Sequence, residues 1–202
     1  MKNLNRNFGF DLDNTLIDFS ISAKIYSRSN NLEKCDDIKS LRSLLRTNDP
    51  TGYSWQKAQS WIYTEGLSFA YLNPGAKELC TYLESKNFRL QIVSHKTSNT
   101  PKLFGEKPLR NLATQWLKES ELSIYFANKE SIHYESTRLS KVKKIRSLNL
   151  GYFVDDLIEV FTEYEYPKEI ESYLFGSCNV YIPWVRNISS LLDIKEIIEY
   201  ES

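Results

Sequence analysis

The sequence predicts an α/β protein, a doubly wound parallel sheet with a small helical insertion after its first strand. Three observations carry this reading. Short apolar runs end on polar or small residues at intervals along the chain. Stretches with apolar residues at helical spacing lie between them. One gap, from Asp18 to Asn73, holds helical stripes and no convincing strand pattern. Strands alternating with helices make a parallel sheet covered on both faces. Ligands bind such a sheet beyond the carboxyl ends of its strands.

The elements follow in order. Phe8-Gly9-Phe10 is the first strand and leads into Asp11. In the insertion, Ile38, Leu41, Leu44 and Leu45 make one helical stripe and Trp55, Ala58 and Ile62 another. Asn48-Asp49-Pro50-Thr51-Gly52 breaks the chain between them. Pro74-Gly75 opens a helix with Ala76, Leu79, Cys80 and Leu83 on one face. Arg89 to Val93 is the second strand, ending at Ser94. Thr97 to Ser120 is polar and broken by Pro101, Gly105 and Pro108, with a helix at Leu112–Leu117; it reads as a substrate-side loop or a plain connection. Leu122 to Phe126 is the expected third strand. Leu139, Val142, Ile145 and Leu148 mark a helix, and Gly151 to Val154 a strand ending at Asp155. Glu171 to Phe175 is a fifth strand, and Leu191, Ile194 and Ile198 stripe a terminal helix. The expected boundaries are 1–18 with 74–202 for the α/β core and 19–73 for the insertion.

Composition narrows the function classes. The 202 residues are 41% hydrophobic and 26% charged, which excludes wholesale disorder. The formal net charge is +0 and the pI about 6.8, so no overall basic footprint for nucleic acid is present and none is expected as a partner. Cys35, Cys80 and Cys178 are dispersed, against a disulfide framework or zinc knuckle and in keeping with a reducing cytosol. Met1 to Asn7 is polar and precedes only a short apolar run, which does not fit a signal peptide. No stretch approaches the ~18 apolar residues of a membrane span. A cytoplasmic protein without membrane contact is expected; nothing in the sequence speaks to its oligomeric state.

The strongest motif is Asp11-Leu12-Asp13-Asn14-Thr15-Leu16. Two carboxylates two residues apart, just past a strand, can share a metal. They can also divide two roles, one attacking phosphorus and the other moving protons. An isolated Asp-x-Asp also reads as a solvated turn. Here Ser94, Asp155 and Asp156 follow other strands at the same expected edge.

Phe8 to Leu16 resembles the first motif of the haloacid dehalogenase (HAD) superfamily, and three further motifs follow in order. Gln91-Ile92-Val93-Ser94 is similar to the second, a strand ending in Thr or Ser. Lys141 best matches the third, a lysine at or before a helix, with Lys143 and Lys144 as alternatives. Tyr152-Phe153-Val154-Asp155-Asp156 is similar to the fourth. The resemblance runs from Phe8 to about Ile182. It implies a Rossmann-like core and a Mg²⁺-dependent phosphomonoesterase acting on a small phosphorylated metabolite through an aspartyl-phosphate on Asp11. Asp13 would be the acid and base, Ser94 would hold a phosphate oxygen, and Lys141 would offset the crowded negative charge. Mg²⁺ would be held by Asp11, the Asp13 main-chain carbonyl and Asp155, with Asp156 also counted in the metal site. Asp156 would orient Lys141 or a metal-bound water. His95 and Lys96 would lie by the cleft as candidate substrate contacts.

The same resemblance makes 19–73 a cap over the site. Tyr53, Trp55, Trp61, Tyr63 and Tyr71 are candidates to line its pocket or to hold its helices together. Arg42 and Arg46 are candidates for a second anionic group or a solvated face, and Arg138 for a phosphate or plain helix surface. Dehalogenases of this fold lack a second Asp like Asp13, which disfavours that chemistry. A phosphotransferase or phosphomutase uses the same two aspartates, and a catalytically silent binding module is the alternative of another class.

Overall fold

The computed structural model describes residues 5–176 and 180–201; Cys178 lies outside them. The strands are β1 (Asn7–Phe10), β2 (Ile17–Asp18), β3 (Tyr71–Leu72), β4 (Arg89–His95), β5 (Ile132–Glu135), β6 (Tyr152–Asp155), β7 (Glu171–Phe175) and β8 (Val185–Ile188). The helices are α1 (Ser20–Ser29), α2 (Ile38–Asn48), α3 (Tyr53–Ile62), α4 (Ala76–Ser85), α5 (Leu109–Glu119), α6 (Arg138–Ser147), α7 (Ile158–Phe161) and α8 (Leu191–Glu201). Six strands form one parallel sheet in the order β5-β4-β1-β6-β7-β8. The expected α/β class and parallel sheet are present.

Alternation along the strands divides the core. Phe8, Phe10, Leu90, Ile92, Val154, Tyr173 and Ile188 face one side, packed with α4, α5, α8 and the helices of the insertion. Val93, Phe153 and Leu174 face the other, packed with α6 and α7. Gly9 sits on that second face because nothing larger fits. A Cβ there would stand 2.4 Å from Leu150 Cδ1 and 2.8 Å from Phe153 Cδ2.

Two strand expectations need correction. Leu122–Phe126 is a run of turns, with Ser123 N donating to Ser120 O at 3.1 Å and Tyr125 N to Leu122 O at 3.0 Å. A strand would put Leu122, Ile124 and Phe126 on one face, but Leu122 and Phe126 are buried and Ile124 is 69% exposed. Burial at a spacing of four belongs to a turning chain. The strand in that part of the sheet is β5, whose half-buried residues include His133 and Glu135. The sheet therefore has six strands where five were expected, β8 being the other addition.

The chain leaves β1 for the insertion through β2 and returns through β3. These two pair antiparallel, Ile17 opposite Leu72 and Asp18 opposite Tyr71. From β5 the chain crosses past β4 and β1 to β6, by way of α6. The strand order reverses at β1, and the crevice at such a reversal is where open α/β sheets bind ligands. Among the described residues, no helix is long and apolar enough to cross a membrane.

Candidate active site

The carboxyl ends of β1, β4 and β6 deliver Asp11, Ser94 and Asp155 to one cavity of about 790 Å³. The segment after β1 turns back tightly. Leu16 N and Ile17 N both donate to Leu12 O, at 3.0 and 2.9 Å, and Asn14 N donates to Ile17 O at 2.7 Å. Asn14 takes a left-handed φ of 63°, a conformation asparagine tolerates. Asn73, where the insertion returns, donates its side-chain amide to Thr15 O at 2.8 Å and Asn14 O at 3.2 Å. The loop bearing Asp11 and Asp13 is thus fixed by both ends of the insertion.

Lys141 reaches the same place from the crossover helix. Thr137 caps α6, its Oγ1 accepting from Ser140 N at 3.0 Å while Ser140 Oγ accepts from Thr137 N. This capping box sets the helix start so that Lys141 lies in the first turn. Its Nζ is 2.5 Å from Asp11 Oδ1 and 2.6 Å from Asp155 Oδ2, and all three side chains are buried. Lys143 is exposed beside Glu165, and of the three candidate lysines only Lys141 lines the cavity.

The charge balance of this cluster is tight. Burial pushes the Asp11 carboxyl well above its ordinary value; Lys141 opposes the shift, while Asp155 and Asp156 add to it. Asp156 is pushed up to about 7, again by burial first and then by Asp155. Burial would lower the Lys141 ammonium, but Asp11 and Asp155 outweigh it and hold it above the usual lysine range. One carboxylate oxygen from each of Asp11, Asp155 and Asp156 lies within 4.8 Å of the others. Three carboxylates this close, in an oxygen-only set, suit a hard divalent cation. Asp156 makes no hydrogen bond to Lys141. Its main-chain oxygen and carboxylate lie 3.3 and 3.8 Å from Lys39 Nζ on α2.

Ser94, which ends the second motif, and the two residues after it take different places. Ser94 is 1% exposed, borders the cavity, and its Oγ has no hydrogen-bond partner among the described residues. His95 also borders the cavity; its Nε2 lies 3.2 Å from Ser136 O, and burial lowers its pKa, favouring the neutral ring. Lys96, expected by the cleft, lies beside it, lining a smaller adjoining cavity with His95, Gln59 and Tyr63. Its buried Nζ donates to Asp13 Oδ2 at 2.7 Å and lies 4.4 Å from the centre of the Tyr63 ring. The geometry favours Lys96 as the partner of Asp13. Asp13 Oδ1 has no hydrogen-bond partner among the described residues.

Helices α2 and α3 form the far wall. Trp55 and Tyr63 line the cavity with Gln56 and Gln59. The other aromatic candidates do not. Trp61 packs on Tyr26 and Phe69, Tyr53 lies 5.4 Å from Phe104, and Tyr71 bonds Ser20. Arg138 borders the cavity with its guanidinium 3.3 Å from Glu163. Lys39 was missed by sequence reasoning, because its pairing with Asp156 joins positions far apart in the chain with no local pattern to mark it.

No protein-family model matches the chain, and no curated protein matches it in sequence. Its likeness is to solved structures. A HAD-superfamily hydrolase from Ehrlichia chaffeensis matches at 18% identity and a TM-score of 0.57, covering 99% of this chain and 98% of that one. The predicted phosphatase of Clostridium acetobutylicum matches at 19% and 0.61, covering 96% and 98%. A HAD family hydrolase from Deinococcus radiodurans R1, with bound phosphate and sodium, matches at 11% and 0.60, covering 96% and 95%. At such identities the likeness speaks to architecture alone, and the architecture it establishes over nearly the whole chain is that of the haloacid dehalogenase superfamily.

Proposed function

We propose that the chain is a Mg²⁺-dependent phosphomonoester hydrolase that works on a small phosphorylated metabolite through an aspartyl-phosphate on Asp11. The observation that carries this is the buried Lys141 ammonium held between Asp11 and Asp155, beside an unpartnered Ser94 hydroxyl at the floor of a cavity. The arrangement offers a carboxylate to attack phosphorus and donors to hold its oxygens.

Asp11, Asp155 and Asp156 would hold the divalent cation, with the Asp13 main-chain carbonyl as the further oxygen the resemblance implies. When bound, it would offset the repulsion between the Asp11 carboxylate and the phosphate. Asp11 Oδ attacks phosphorus, the O–P bond forms, and the bond to the leaving oxygen breaks. That oxygen takes its proton from Asp13. Asp13 Oδ2 is occupied by Lys96, so Oδ1 is the oxygen free to carry the proton. Asp13 then accepts a proton from water as the water oxygen attacks phosphorus. The Asp11–phosphorus bond breaks, inorganic phosphate leaves, Asp11 is again a carboxylate, and Asp13 is again the protonated acid with which the cycle began. Ser94 Oγ donates to a phosphate oxygen throughout, and Lys141 keeps Asp11 oriented. Residues 19–73 act as the cap, with Trp55 and Tyr63 facing the leaving group and excluding water.

The test is phosphate release from a panel of phosphorylated metabolites by the purified chain, with Mg²⁺ and after exhaustive chelation. Release that requires the cation and is abolished in folded Asp11→Asn supports the reading. Undiminished release from the metal-free protein, or from Asp11→Asn, overturns it. Transfer of the phosphoryl group to an added sugar hydroxyl in place of water would identify a phosphotransferase.

A further inference from the structure

One face of α2 turns toward the cavity with Lys39, Arg42 and Arg46, at positions i, i+3 and i+7. Lys39 is already committed to Asp156. Arg42 is half-buried and Arg46 exposed, and neither has an ion pair or hydrogen bond among the described residues. The carboxylates of the cavity are all taken. Asp11 and Asp155 are on Lys141, Asp13 is on Lys96 and Asp156 is beside Lys39. Arg138, the remaining cation of the lining, has Glu163. Arg42, a partly desolvated cation without a counter-charge, is costly, and an anion arriving from solution removes the cost; Arg46, one turn on and in water, is free to join it.

The ester phosphate does not supply that anion. Under the proposed function it would sit over Asp11 and Ser94, where the cation held by Asp11, Asp155 and Asp156 would share in offsetting its charge. The arginines lie on the wall formed by the insertion, where the leaving group points. We infer that the substrate is a phosphomonoester whose leaving group carries a second anion, a carboxylate or a second phosphate, and that Arg42 and Arg46 bind it. This rests on the proposed function for the position of the ester phosphate. The guanidinium fork matches either anion with two parallel hydrogen bonds. Trp55 and Gln59 on α3 line the same cavity and add an aromatic ring and an amide to it, which suits a short polyhydroxy or ring-bearing body. The cavity, about 790 Å³, falls within the range of roughly 300–1,000 Å³ usual for small-molecule sites.

Two matched pairs of substrates test this with Mg²⁺ and the full chain. Glycerol 3-phosphate against 3-phosphoglycerate isolates a carboxylate. Glucose 1-phosphate against glucose 1,6-bisphosphate isolates a second phosphate. In at least one pair the member with the second anion is expected to show a kcat/KM about tenfold or more higher, and the pair that does so names the anion. Arg42→Gln and Arg46→Gln, which keep a good helix former on α2, should bring that ratio toward one, chiefly through KM. A ratio near one in both pairs, or a ratio that both variants leave intact, overturns the inference. Calorimetric binding of the same four compounds separates it from the hydrolase reading. A chain that releases no phosphate but binds the second-anion member more tightly, and loses that preference in Arg42→Gln, would keep the subsite and lose the enzyme. Equal binding of both members of each pair would remove the subsite.

Discussion

Replacing Lys141 with Met is the sharpest test of the buried cluster. Met nearly preserves the volume, so what is removed is one charge and its two hydrogen bonds, at 2.5 and 2.6 Å to Asp11 and Asp155. Removing one partner of a buried ion pair costs about 3–5 kcal/mol, because the other charge stays buried and uncompensated. Against a total stability of about 5–15 kcal/mol that loss is large. The loss should also depend on pH. Burial already holds the folded Asp11 well above its ordinary value, and loss of Lys141 raises it further. A carboxyl raised on folding is stabilised by its proton at low pH, and that stability is lost as pH rises through the folded value. The penalty of Lys141→Met should therefore be greater at pH 8 than at pH 5. Urea unfolding of the metal-free full chain and the variant at both pH values measures this, provided the slope m is unchanged. A loss under about 1 kcal/mol at pH 8, or an equal loss at both values, would refute a buried, ion-paired Lys141.

Asn73→Ala should cost about 1–3 kcal/mol in urea unfolding, because it strips the amide donor from the Asn14 and Thr15 carbonyls; a neutral result would mean that the motif loop holds itself. Gly9→Ala should destabilise by about 1–3 kcal/mol through overpacking against Leu150 and Phe153, read as a lower urea midpoint. Trp61→Ala should lower Tm without altering the ratio of kcat/KM between two substrates, since Trp61 packs on Tyr26 and Phe69. Trp55→Ala, by contrast, should alter that ratio because Trp55 lines the cavity. The two tryptophans exchanging these behaviours would count against the cavity as the leaving-group site.

What could be read in the sequence follows from how each signal is written. Phe8–Phe10, Arg89–Val93 and Gly151–Val154 are central strands, mostly apolar and buried, and each leads into the polar residue it presents. Their convergence on Asp11, Ser94 and Asp155 needs only the rule that parallel strands share one carboxyl edge. The edge strands carry no such mark. Strand β5 is flanked by one strand only and reads Ile-His-Tyr-Glu, while β8 reads Val-Arg-Asn-Ile, both diluted by polar residues that an edge position tolerates. Leu122–Phe126 imitated a strand because period two and a spacing of four coincide at its first and last residues. Within the site, Lys141 is legible only through the resemblance to the third motif, which leaves Lys143 and Lys144 as alternatives on the same helix. The partners of Lys96 and Lys39 could not be read, because a long flexible side chain selects its carboxylate in three dimensions.

The pairing of β2 with β3 has a consequence for how this chain can change over time. Ile17 faces Leu72 and Asp18 faces Tyr71, so the two strands emerge side by side and run in opposite directions. A two-residue turn of the Asn-Gly kind would join Asp18 to Tyr71 as a simple hairpin. Everything from 19 to 70 is therefore an excursion from a closed socket. Doubling the length of such an excursion adds only about 0.6 kcal/mol of closure entropy. Whole helices can then be gained, lost or exchanged there while Asn73 still grips the loop that bears Asp11 and Asp13. The socket separates two histories within one chain: a sheet edge held to a single geometry, and a segment free to be rewritten around whatever it encloses.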